Sequence, residues 1–155
     1  MILMKEIFLS IMMILCVSAL FGATPAEDLV QKYKEAKGVR DLVAGKTLMR
    51  LVRPMMEDYQ IAPLAHKVEQ LSVLRVDKSS PEVRNMFQND LKKVFSCYIY
   101  AGQSVTKNGI VDVYVHMSSE DVADELVVYN PKIYALYSLS GAFTREELEK
   151  IQKKP

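Results

Sequence analysis

Tryptophan is absent from the 155-residue chain, and cysteine and histidine occur only twice each. The six glycines stand alone at the ends of apolar segments or in turns, so no glycine-rich loop is present to cradle a phosphate chain. Lysine plus arginine number 20 against 19 aspartates and glutamates, a formal net charge of +1. Such a balance argues against nucleic acid as a partner, because that binding needs a basic footprint. Low-complexity tracts and internal repeats are also missing.

These scarcities thin out the catalytic options. His66 lies in Ala65-His66-Lys67 with no carboxylate or cysteine at ligand spacing, as for a solvated helix position. His116 shares one side of an alternating stretch with Asp112 and Tyr114. His116 and Asp112 are four positions apart along a strand, roughly 13 Å, so the two cannot meet directly. Glu120, Asp121, Asp124 and Glu125 cluster, but without the spacing of a calcium loop, and read as a solvated turn. Ser118, Ser119, Ser138 and Ser140 lack the context of a nucleophile elbow. No metal, cofactor or catalytic residue is expected.

Half of the residues are hydrophobic, enough to bury a core in one domain of this length without disulfide staples. The first 23 residues read as a leader. Lys5 precedes a nearly unbroken apolar run from Ile7 to Leu20, and small residues follow at Ser18, Ala19, Gly22 and Ala23. The run is short for a membrane span and suits a signal-peptide core, with cleavage after Ala19 or Ala23. Met13-Ile14-Leu15 before Cys16 lacks the small residues of a lipoprotein site. Cleavage removes Lys5 and Glu6, leaving the net charge unchanged, and leaves Cys97 as a single small core residue. The expected location is the periplasm or cell envelope, with membrane contact only through the leader before cleavage.

The remainder, 24–155, reads as a single α+β domain. Thr24-Pro25-Ala26-Glu27 combines an N-cap, a first-position proline and a capping-box glutamate, and Gly38 closes the helix that follows. A short strand is expected over 39–44. A methionine-rich helix runs from Lys46, limited or kinked by Pro54, and a short helix over 64–71 feeds a strand over 72–76. Ser80-Pro81-Glu82 opens the most amphipathic helix, with Val83, Met86, Phe87, Leu91, Val94 and Phe95 on one side.

Four strands follow, over 97–105, 110–117, 126–129 and 133–140. The second is the clearest: Val111, Val113, Val115 and Met117 alternate with Ile110, Asp112, Tyr114 and His116. Asn108-Gly109 suits the tight turn before it, and Asn130-Pro131 the turn before the last strand. Thr144 and Glu147 form a second capping box at the start of a C-terminal helix. The expected architecture is a largely antiparallel sheet with a C-terminal four-strand meander and helices packed mainly on one face.

Several of these segments have a familiar look: Lys32-Tyr33-Lys34-Glu35-Ala36-Lys37-Gly38-Val39, the Leu71-Ser72-Val73-Leu74 strand, the valine-rich strand, and Ser138-Leu139-Ser140-Gly141 before a capped helix. Together with the leader, they resemble the domain-of-unknown-function 4252 family, small exported proteins of Bacteroidetes-type bacteria. The resemblance implies export and an α+β fold, and brings no catalytic residues with it.

What remains for function is aromatic. Tyr98, Tyr100 and Tyr114 fall on the more polar faces of neighbouring strands, where they and His116 are expected to form an exposed binding platform beside Asp112. The leading expectation is an exported, non-catalytic domain that binds another protein or an envelope component through its sheet, with homodimerisation possible. The alternative is a small-molecule or lipid carrier with an apolar cleft between the methionine-rich helix and the sheet. A hydrolase using His116 ranks third.

Overall fold

A computed structural model of the protein describes residues 24–56, 62–106 and 109–152. The leader and both of its cleavage points lie outside the described residues, as does part of the Asn108-Gly109 turn. Helix α1 (Pro25–Tyr33) is followed by strand β1 (Arg40–Ala44), helix α2 (Lys46–Met56) and a 3₁₀ turn (Ala62–Lys67). Next come β2 (Val68–Arg75), α3 (Pro81–Phe95), β3 (Ile99–Thr106), β4 (Gly109–Met117), β5 (Val122–Asn130), β6 (Ala135–Thr144) and α4 (Arg145–Gln152). All strands join one antiparallel sheet in the order β1-β2-β6-β5-β4-β3. The expected α+β fold and its C-terminal meander are both present.

Capping chemistry sets three helix starts. The Thr24 hydroxyl accepts the Glu27 N–H at 3.2 Å and the Ser80 hydroxyl accepts that of Val83 at 3.2 Å, each ahead of a first-turn proline. Thr144 and Glu147 close the expected reciprocal box on α4, with N–H···O distances of 3.1 and 3.3 Å. Helix α1 ends at Tyr33, before the expected stop at Gly38. Gly38 serves the loop instead. Its φ is +83°, and a Cβ there would sit 2.3 Å from the Lys78 carbonyl oxygen. Only glycine allows this loop to close onto the segment that leads into α3.

Alternation along the strands divides the core in two. Ala26, Leu29, Val30 and Tyr33 of α1 and Phe87, Leu91 and Val94 of α3 pack on Leu74, Val127, Tyr129 and Leu136. Cys97 is half-buried against this cluster. On the opposite side, Met49 of α2, Leu64 of the 3₁₀ turn and the partly buried Leu148 of α4 join Val68, Leu71, Leu126, Leu139 and Phe143. The α1–α3 layer is thus accompanied by smaller helical cover on the second face. Strands β2, β5 and β6 are apolar on both sides, as central strands covered twice must be. Lys32 and the Tyr33 hydroxyl both reach Asp90, at 2.8 and 2.6 Å, tying α1 to α3 above the first cluster.

Two strands begin earlier than their sequence pattern suggests. β2 starts at Val68 and β5 at Val122, four residues ahead of the expected positions in each case. A register shift lies between Val68 and Gln70 and another between Ala123 and Glu125. Such bulges interrupt the two-residue alternation by which a strand is recognised.

Candidate functional site

Strands β3 and β4 form one end of the sheet, and their register decides which aromatic residues meet. Tyr100 lies directly opposite Tyr114. Their ring centroids are 5.2 Å apart at 57°. Tyr114 in turn stacks on Phe95 of α3 at 4.0 Å and 6°, and Phe95 meets Tyr129 at 5.9 Å. An aromatic strip therefore runs from the core beneath α3 out to solvent at Tyr100, which is 53% exposed. Asp112 accepts hydrogen bonds from the Tyr100 hydroxyl and from Gln103 Nε2, both at 3.3 Å. Desolvation and then the Asp112 charge raise the phenol pKa of both Tyr100 and Tyr114.

Tyr98 does not belong to this surface. It is 8% exposed, and its hydroxyl donates to Glu125 Oε1 at 2.5 Å while accepting the Ala26 N–H at 3.2 Å. Burial, followed by the neighbouring Glu125 charge, raises its phenol pKa well above the ordinary value. The expected platform is corrected accordingly: Tyr100 and the half-buried Tyr114 remain at the surface, and Tyr98 is a core residue. It turns inward because it lies at the junction between α3 and β3, directly under the start of α1.

Glu125 was expected in a solvated acidic turn, and this is also corrected. It is 2% exposed within β5, on the same face as Val127 and Tyr129. Besides Tyr98, it accepts hydrogen bonds from Ser138 at 2.5 Å and Thr24 at 2.6 Å, both at Oε2. Three hydroxyls from β6, the α1 cap and the start of β3 thus converge on one carboxyl group. A buried polar group must find such partners or lose several kcal/mol. The sequence signal was available in retrospect: Glu125, Val127 and Tyr129 share a parity.

His116 has a partner, but not Asp112. Its Nδ1 lies 2.6 Å from Asp124 Oδ1, with the two side chains 42% and 48% exposed. The ring also meets the edge of Tyr98 at 6.2 Å and 76°. Asp124 is skipped by the register on both sides: His116 pairs with Glu125, and Met117 with Ala123. A bulge re-aims the side chain it carries, which explains how Asp124 arrives beside His116. The pair leaves Nε2 available for hydrogen bonding. Among the described residues, no group of three or more histidines, cysteines or acids could hold a metal ion, and no helix is long and apolar enough to cross a membrane.

The sheet end carries more apolar surface than tyrosine alone. Ile99 and Val105 on β3, and Ile110 at the start of β4, are each more than half exposed. β3 contains no charged residue from Ile99 to Thr106, whereas β1 at the other end carries Arg40 and Asp41. Natural edge strands are usually guarded by charge, proline or distortion. Among the described residues, a register shift between Tyr100 and Gly102 is the distortion seen in this strand.

No family model, curated protein or solved structure matches the chain.

Proposed function

We propose that this protein is an exported, non-catalytic binding domain that receives an extended segment of a partner protein along β3. One observation carries the reading: an uncharged terminal strand with Ile99, Tyr100 and Val105 exposed, flanked by Ile110. An added strand gains main-chain hydrogen bonds along an edge, and its alternate side chains find apolar contacts there. Tyr100 is a suitable anchor, because Tyr114 and Phe95 support it from behind and few rotamers need to be frozen on binding. The site supplies apolar contact, with Asp112 and Gln103 giving polar recognition at its border. Export is supported by the leader sequence of residues 1–23.

The test is a photo-crosslinking amino acid at Val105, introduced into the full chain in its own host. A discrete protein adduct is expected, and Ile99→Lys together with Tyr100→Ala should abolish it without unfolding the domain. An adduct of twice the chain's mass identifies a second copy as the partner. No adduct, or one indifferent to these substitutions, removes the β3 site.

A further inference from the structure

Far from β3, at the β1-β2-β6 end of the sheet, an open cleft of about 510 Å³ is lined by Lys46, Arg50, His66, Lys67, Glu69 and Ala142. Lys46 and Arg50 are four residues apart in α2 and so project from the same flank of the helix. Both are exposed, and neither forms an ion pair among the described residues. Lys67 is held from behind by Glu147 of α4. Among the described residues of the lining Glu69 is the one acid, and with Lys67 already paired to Glu147 the two cations left without an ion-pair partner there are Lys46 and Arg50.

This concentration of charge is built rather than scattered. Gly141 lets the 3₁₀ turn seat on β6: a Cβ there would come within 2.4 Å of the Lys67 carbonyl oxygen. That close approach fixes the wall carrying His66 and Lys67 opposite α2. The first turn of α2 contains no acidic residue, so nothing on the helix itself offsets Lys46 and Arg50. Lys46 and Arg50, one helical turn apart, carry like charges that disfavour one another, and a bound anion offsets that cost.

We propose that this cleft is a binding site for a phosphate-bearing ligand. Arg50 supplies a planar fork suited to two phosphate oxygens, while Lys46 and Lys67 supply ammonium donors. His66 adds a ring nitrogen to the same wall. The phosphate group comes either from a soluble phosphorylated molecule or from a lipid headgroup.

The test is an amide-resolved NMR titration of the full chain, expressed with its own leader, using inorganic phosphate against chloride at fixed ionic strength. Saturable shifts are expected at Lys46, Arg50, His66 and Lys67 with phosphate only. Lys46→Ala with Arg50→Ala should weaken binding by about tenfold or more, since charge-assisted hydrogen bonds are lost. Glu69→Gln should tighten it about two- to threefold by removing the opposing charge, an effect that misfolding would not mimic. Sedimentation with phosphatidylglycerol and phosphatidylcholine vesicles separates the sources. Association with the anionic vesicles alone, lost in the double variant, identifies a headgroup; phosphate binding without vesicle association identifies a soluble ligand. The proposal is overturned if phosphate shifts fail to saturate, if chloride reproduces them, or if the double variant leaves them unchanged.

Discussion

Replacing Tyr98 by phenylalanine separates the buried scaffold from the binding surface. The ring and its packing are retained, and only the hydroxyl is removed. That hydroxyl serves two buried groups: it donates to Glu125 Oε1 at 2.5 Å and accepts the Ala26 N–H at 3.2 Å. Ser138 and Thr24 both donate to Oε2, so they do not replace what Oε1 loses. Ala26 is fully buried and its N–H lies in the first turn of α1, where no intrahelical acceptor exists. Each buried group left unsatisfied costs about 1–3 kcal/mol, and partial relaxation brings the expected total to about 3 kcal/mol. With urea m-values of about 1–3 kcal/mol/M, the unfolding midpoint should fall by about 1–3 M. Far-UV circular dichroism is the suitable probe, because the chain has no tryptophan to report by fluorescence. Tyr100→Phe is the matched control. Its hydroxyl is exposed and 3.3 Å from Asp112, so the change should stay within about 0.5 kcal/mol. A loss below about 1 kcal/mol for Tyr98→Phe, with m unchanged, would refute the three-hydroxyl clamp.

Acid should act on α4 through Glu147, whose carboxyl pKa is lowered from 4.5 to about 2, chiefly by its hydrogen bond from Lys67 and further by Thr144. A depressed folded-state pKa gives stability that is present above 4.5 and is lost as pH falls through about 2. Thermal melts over that window should therefore show a shallower acid dependence for Glu147→Gln than for the wild type, and parallel curves would contradict the linkage. Gly38→Ala should destabilise by about 2 kcal/mol or more, since a Cβ at positive φ meets a backbone carbonyl at 2.3 Å. Gly45→Ala, where a Cβ has no neighbour within 4 Å, should change the same urea midpoint by less than about 1 kcal/mol equivalent; equal effects at both positions would refute the close-approach argument.

The order of elements was legible because each signal was local. Thr24, Ser80 and Thr144 announce helix starts through side chains within three residues, and Val111 to Met117 announces a strand by its own alternation. Which strand ends the sheet was not legible, since β6 returns past its predecessor to pair with β2, a contact no short window contains. The candidate site divides along the same line. Tyr100 and Tyr114 could be placed on one face by parity, and the register makes them neighbours. Tyr98 shares that parity, yet the start of α1 lies above it, and burial by a distant helix leaves no trace in strand periodicity. Asp124 beside His116 was hidden for a different reason: a bulge moves one side chain without changing the composition around it.

The buried Glu125 cluster bears directly on recognition at β3. Thr24 brings in the cap of α1, Tyr98 the entry to β3 and Ser138 the middle of β6, all through one carboxyl group. Two residues beyond Tyr98, Tyr100 is backed by Tyr114, whose opposite side is closed by Phe95. The start of the edge strand is therefore tied to the helix layer by hydrogen bonds and its exposed anchor by stacked rings. An edge held in this way loses little freedom when a partner strand is added, so more of the contact energy is retained as affinity. Substitutions at Glu125 should accordingly weaken capture at β3 without touching the partner, and Tyr100→Ala should weaken it without touching the fold. Capture that survives a loosened Glu125 cluster at full strength would show that β3 does not depend on the helix layer for its shape.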